Sequence, residues 1–267
     1  MAAGVSATNP RLAPPQRFGT IVVVGGGCYG GYYVRQLRRA VGAGAVVCRE
    51  VVVVDRDTDC AVARDLESGD PLVRVTVAEW REFFARYLGA ARHAAGAQDD
   101  AIVPSPLMPH LLRDWLVDAA RQRWPTRAAR VAPLHGPPAV PWERSAPDGT
   151  HYVSFATWSC PINCIEPAMC PHTRGPRDWS LGPAIRDYAD GERLAGRPGL
   201  GPFLFRCTHR AYGVGMIDVR EVLAADRAVH DAGAGNRPVD ALVGTVSHCH
   251  GAISRVVIAP TPSAANG

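Results

Sequence analysis

The sequence contains no lysine, and all 29 of its basic residues are arginine. Without an ε-amine there is no Schiff-base or pyridoxal chemistry, no lysine-bearing phosphate loop and no Tyr-x-x-x-Lys catalytic pair. Aromatic residues are scarce, at 7%. No apolar run is long enough to cross a bilayer. The opening stretch, residues 1–17, has neither the charged start nor the apolar core of a secretory signal. The net charge of +4 is small and comes from dispersed single arginines, which argues against a nucleic-acid surface. These absences predict a cytoplasmic protein that handles a small-molecule substrate, with no nucleic-acid or membrane partner. A homo-oligomer is compatible with them.

At 47% hydrophobic and 20% charged over 267 residues, the composition is that of a globular chain able to bury a sizeable core. The strongest local pattern is TIVVVGGGCYGGYY, Thr20–Tyr33. Ile21–Val24 read as a buried parallel strand, and a helix-compatible segment, Gly31–Ala40, follows. Between them, Gly25, Gly27 and Gly30 fit G-x-G-x-x-G. Such a turn needs no side chain at its bend, where the backbone meets a pyrophosphate, or where helix packs on strand. The helix N-terminus then faces the anion. A second strand, Glu50–Asp55, ends in an acid placed to bind ribose hydroxyls, 25 residues after Gly30 where about 20 is usual.

On these residues the segment from about 18 to 125 resembles the Rossmann NAD(P)-binding superfamily. In its compact form it is similar to the nucleotide domains of siroheme synthases and potassium-transport regulators. The resemblance implies a bound NAD(P) held by Gly25, Gly27, Gly30 and Asp55. Asp55 favours NAD, because its charge repels a 2′-phosphate, although Arg56 stands next to it.

Further strands at Leu72–Val75 and Ala101–Val103 alternate with helices at Ala61–Glu67, from Trp80, and from about His110 to Arg123. Thr76–Glu79 has the form of a capping box, and Pro109 suits a first helical position. The fold class is therefore α/β: a Rossmann-like parallel sheet followed by a smaller cysteine-rich α/β or α+β region. The expected divisions are a tail at 1–17, a dinucleotide domain at 18–132, a metal or substrate region at 133–259 and a tail at 260–267. A hairpin about Pro147-Asp148-Gly149 and a β-α-β unit (Phe203–Cys207, Asp218–His230, Ala241–Val246) fall in the second part, which either extends the first sheet or builds its own.

Eight cysteines exceed what packing requires in a reducing compartment. Cys160, Cys164 and Cys170 lie in a proline-rich loop, and Cys207 and Cys249 each follow a strand-like run. The loop suits soft-metal ligation, completed by Cys207 or Cys249, in zinc or an iron–sulfur cluster. Its C-x3-C-x5-C spacing matches no standard finger or ferredoxin pattern, so metal-free thiol redox chemistry and inert cysteines stay open. Cys28 is expected to pack against its helix, and Cys48 and Cys60 to fill core. Arg174 and Arg177 could bind an anion. His110, His172, His248 and His250 form the pool for proton transfer. The leading expectation is an NAD(P)-linked oxidoreductase with a cysteine-ligated metal centre. A non-catalytic nucleotide-binding metal or redox sensor and a metal-handling protein are the alternatives. At least three of the five sulfurs should cluster within metal-bridging reach on the nicotinamide side.

Overall fold

Runs of valine and isoleucine build the first sheet. The computed structural model describes residues 14–66, 69–161 and 164–262. In chain order come β1 (Gln16–Val24), α1 (Cys28–Gly42), β2 (Val46–Asp55), α2 (Ala61–Asp65), β3 (Val73–Val77), α3 (Trp80–Ala91), β4 (Ala101–Val103) and α4 (Leu111–Arg123). The four strands lie parallel in the order β3-β2-β1-β4. Ile21–Val24 and Val51–Val54 are buried along their whole length. A continuous β-branched run is what a strand covered on both faces requires.

The chain continues through β5 (Ala129–Ala132), β6 (Trp142–Ser145), β7 (His151–Ser154), α5 (Leu181–Leu194), β8 (Leu200–Arg206), β9 (Thr208–Ala211), β10 (Val214–Asp218), α6 (Val219–Gly233), β11 (Val239–Val246) and β12 (His250–Ile258). A second sheet runs β6-β7-β12-β11-β8, with β5 also paired to β12. Strands β8 and β11 are parallel, so the expected β-α-β unit forms, but in the second sheet. The hairpin β9–β10 interrupts it and returns to the first sheet, where β10 runs antiparallel to β4. Its two-residue turn places Tyr212 at φ +50° and Gly213 at φ +81°, the left-handed pair that a tight hairpin uses.

Helices α4 and α6 are shared by both sheets. One core joins Val22, Val24 and Ile102 of the first sheet to Phe205, Val243 and Val256 of the second through Leu112, Leu116, Val222 and Leu223. On the far side of the first sheet, Val34 and Leu37 of α1 and Val62 of α2 pack on Ile21, Val51 and Val53. On the far side of the second, Leu181 and Ile185 of α5 pack on Val153, Leu242 and Ile253. Charge completes the shared layer. The buried Asp226 of α6 takes hydrogen bonds from Arg92, just after α3, and Arg123 of α4. Arg113 of α4 reaches the Thr150 and Ser254 hydroxyls of the second half. Among the described residues no helix is long and apolar enough to cross a membrane.

Several local expectations change. Thr76 lies inside β3 and α3 is capped at Glu79, so no capping box forms; the strand claims Thr76. Helix α4 starts two residues beyond Pro109, after a turn. Helix α5 forms in a stretch for which the sequence reading names no helix. The division at residue 133 does not separate the sheets, since β5 precedes it in the second sheet and β9–β10 follow it in the first. Residues 1–13 and 263–267 of the two expected tails, and Glu67 of the expected second helix, lie outside the described residues, while Gln16 and Arg17 already belong to β1.

Asp100 ties the first sheet to its helices. It is 4% exposed. One carboxylate oxygen accepts the Thr20 N–H and the other the Tyr87 hydroxyl, both at 2.6 Å. Its carbonyl accepts the Val219 N–H of α6 at 3.0 Å. Asp100→Ala leaves a buried N–H unpaired and should lower unfolding free energy by about 3 kcal/mol, against about 1 kcal/mol for Tyr87→Phe. Urea titration of both variants checks this; equal losses would show that the carboxylate does no more than receive Tyr87.

Candidate functional site

The glycine turn at the end of β1 uses its three glycines differently. Gly25 adopts φ +90° and donates its N–H to the Val54 carbonyl at 2.9 Å. A Cβ on Gly30 would overlap the Gly25 carbonyl oxygen, so α1 sits down on the turn only with glycine there. Gly27 is under neither demand. It caps α1 at an ordinary φ of −76°, and nothing lies within 4 Å of where its Cβ would stand. No side chain caps the helix, leaving the first-turn amides free of intrahelical partners.

Asp55 is fixed beside this turn. Its Oδ2 accepts the Gly26 N–H at 2.6 Å and its Oδ1 the Asp57 N–H at 2.9 Å, leaving further acceptor capacity on each oxygen. An open crevice of about 530 Å³ is lined by Gly27, Cys28, Gly31, Arg35, Asp55 and Arg64. Cys60 packs against Gly26 as core, and Cys48 is half-buried beside the same core. Cys28 is exposed on the first turn of α1 instead of packed, because helix geometry points it into the crevice wall.

The cysteine loop is folded back by its own backbone. Cys170 N–H donates to the Gly175 carbonyl at 2.9 Å, Arg174 N–H to Cys170 at 2.8 Å and Arg177 N–H to Ala168 at 2.7 Å. This closure turns Arg177 inward while Arg174 stays exposed, so the two arginines do not converge on one anion. Arg177 Nη1 donates to Cys249 Sγ at 2.7 Å and its Nε to the Pro167 carbonyl at 3.0 Å. Trp179 Nε1 also donates to Cys249 Sγ, at 3.3 Å. The guanidinium lies beside Cys164 as well.

Burial, then the neighbouring thiols of Cys164, Cys249 and Cys170, push the Cys160 thiol above its usual range. Cys170 is held below it, by the Thr173 amide above all and then by the His172 amide, the Thr173 side chain and Arg177. Cys160, Cys164, Cys170 and Cys249 thus lie in one neighbourhood with Arg177. Even so, among the described residues no three His, Cys, Asp or Glu side chains are arranged to hold a metal ion. Cys207 stands apart from the four. Its sulfur packs against Gly215, and burial, then the charge of Glu166, pushes its thiol up to about 12.

Glu166 organises the turn after β11. Its Oε1 accepts the Ser247 hydroxyl at 2.7 Å and the Cys249 N–H at 3.2 Å, and its Oε2 the His248 N–H at 3.1 Å. His209 Nδ1 lies 3.6 Å away. Although burial raises it, bonds from His209, Ser247 and the His248 amide hold the Glu166 carboxyl down to about 2. The backbone there takes φ +53°, a left-handed conformation that a residue with a Cβ rarely adopts. The only sequence signal for Glu166 is a lone acid between two cysteines.

The four expected histidines do not converge. His110 precedes α4, 3.9 Å from Asp114. His172 stacks on Trp158 with ring centres 4.5 Å apart. His248 touches Glu166 through its amide, and His250 Nδ1 pairs with the Ser154 hydroxyl at 2.8 Å. Burial, then Arg177, lowers the His250 imidazole below its usual value, with Glu166 opposing. His209 is the histidine beside the carboxylate.

The two regions share an edge of the fold. A small cavity of about 10 Å³ is lined by Val24 at the end of β1, Ser105 after β4 and Thr245 near the end of β11. On the α1 side, burial and then the Cys207 thiol raise the Tyr33 phenol to about 12. A family model described as an uncharacterized protein, C-terminal domain (AF_1314_C), matches residues 112–259. It runs from the first turn of α4 through β12, taking in the whole thiol loop and leaving out the glycine turn. No curated protein and no solved structure matches the chain.

Replacing Glu166 should separate its two roles. Glu166→Ala strands three donors and should cost about 3 kcal/mol. Glu166→Gly strands the same donors but relieves the left-handed backbone, so its loss should be smaller by about 1 kcal/mol. Chemical denaturation of both variants decides; a glycine variant no more stable than the alanine one removes the strain argument.

Proposed function

For this chain, which belongs to the AF_1314_C family through residues 112–259, we propose an NAD(P)-linked oxidoreductase in which the glycine turn holds the dinucleotide and the thiol loop holds a metal centre near its nicotinamide end. Gly27 carries the nucleotide reading. The fold itself explains glycine at Gly25 and Gly30, but at Gly27 the φ is ordinary and the space is open. Serine or aspartate would cap α1 better. A ligand that must touch the backbone there, with its phosphates on the first-turn amides, explains the missing side chain.

Asp55, held on the Gly26 amide with acceptor capacity to spare, would accept ribose hydroxyls, which favours NAD. A dinucleotide lying across the edge from Gly27 would extend toward Ser105, Thr245 and the turn of Ser247–Cys249 that Glu166 holds. Four thiols and a cation suit a soft metal, which as four-thiolate zinc would brace the loop and as an iron–sulfur cluster would supply single-electron transfer. The chain's own contribution is to hold Cys249 in place through Glu166 and to keep His209 and His250 close to that turn for proton movement.

Gly27→Ser is the discriminating variant. A serine oxygen at the cap can accept the amides the phosphates would otherwise use, so stability should hold or rise by roughly 0.3 kcal/mol while affinity for NAD(H) falls at least about tenfold. Asp55→Ala should weaken NAD(H) as well. Isothermal calorimetry on metal-replete protein measures both, and absence of binding of NAD and NADP to the unmodified chain would sink the reading.

A further inference from the structure

Three buried polar atoms bear on what the thiols hold. Trp158 Nε1, Arg177 Nη2 and His248 Nε2 are each buried without a hydrogen-bond partner. The Trp158 indole is turned to the Cys160 thiol and the Arg177 guanidinium to those of Cys164 and Cys249, which as neutral thiols are weak acceptors. His248 immediately precedes Cys249. Indole and guanidinium N–H groups can only donate. A buried donor left without an acceptor costs about 1–3 kcal/mol, so an acceptor belongs among these residues. Cys249 Sγ is already occupied, receiving Arg177 Nη1 at 2.7 Å and Trp179 Nε1 at 3.3 Å.

Zinc brings no acceptor of its own, and among the described residues no three ligating side chains are arranged round a single ion. An iron–sulfur cluster differs on both counts. It is larger than one ion, and its inorganic sulfides accept N–H hydrogen bonds, which tune its potential. Held by four thiolates it is anionic, which answers the buried guanidinium at the centre of the group. Trp158, Trp179 and His172 form an aromatic wall on one side, with Trp158 and Trp179 edge to face at 6.3 Å.

We propose that Cys160, Cys164, Cys170 and Cys249 ligate an iron–sulfur cluster, with Arg177 and Trp158 donating N–H groups to its sulfides and Cys207 taking no part. This deepens the metal half of the proposed function and is independent of its nucleotide half.

The test is anaerobic purification of the full chain, followed by iron, zinc and acid-labile sulfide analysis and a visible absorption spectrum. Wild type and Cys207→Ser should carry equal amounts of iron and labile sulfide with broad visible absorption. Cys249→Ser should lose most of both while circular dichroism shows the fold retained. Arg177→Gln should keep the cluster but lower its reduction potential, since the positive donor that stabilises added negative charge is gone. Zinc without labile sulfide in the wild type, metal-free protein after reconstitution with iron and sulfide, or full iron retained in Cys249→Ser would each overturn the assignment. An NAD(H) titration of the same samples reads the nucleotide site separately, so either half can fail alone.

Discussion

Everything in this fold depends on one layer of helices being buried from both sides. Helix α4 presents Leu112, Trp115, Leu116, Val117, Ala119 and Ala120 to the interior, leaving it little solvent face. A helix apolar around most of its circumference must be enclosed, and here the enclosing surfaces are two separate sheets. Their relative placement is therefore fixed by side-chain packing in the middle and not by a linker. Because Val24 and Thr245 come within one small cavity, strand ends from both sheets open on the same edge. The strand that leads into the glycine turn and the strand that leads into the Ser247–Cys249 turn thereby end near each other, without any sequence motif joining them.

Buried charge does the positional work that apolar packing cannot. Asp226 accepts two arginines inside the shared layer, and Arg113 ties α4 to hydroxyls of the second sheet. Charge-assisted bonds of this kind are directional and short, so they set the register of one helix against the next. Guanidinium suits them, since its planar fork serves several acceptors at once. The absence of lysine therefore leaves the interior with the cation better fitted to such networks. At the thiol loop the same residue type has a different setting: Arg177 donates to the Cys249 sulfur and the Pro167 carbonyl, and the Glu166 carboxylate is spent on the Ser247 hydroxyl and two backbone amides.

The first half was readable because its signals are local. Val51–Val54 and Ile21–Val24 are unbroken β-branched runs, and Trp80, Phe83, Phe84, Tyr87 and Leu88 recur at helical spacing. The second half hides its elements. Helix α5 carries an apolar stripe of Leu181, Ile185 and Ala189, but Gly182, Pro183 and Gly191 argue against a helix. Tertiary contact with Val153 and Ile253 overrides that propensity. Strands β9 and β10 are too short to announce themselves, and nothing local says that they return to the first sheet. Among site residues, the glycines and thiols were legible by type and spacing. Glu166 and His209 were not, since their meaning arises from a contact between segments some forty residues apart in the chain.

The path of the chain between the sheets has a consequence for how the molecule can be divided. The Pro133–Pro141 connection looks like a seam between modules, yet the segment after it lends β9–β10 to the first sheet, and the segment before it lends β5 to the second. Each piece completes the other's hydrogen-bond ladder and supplies half of one core. A cut there would yield two fragments that stay associated, and neither would make a self-sufficient unit for a fusion or a domain exchange. The protein is in this sense a single cooperative object.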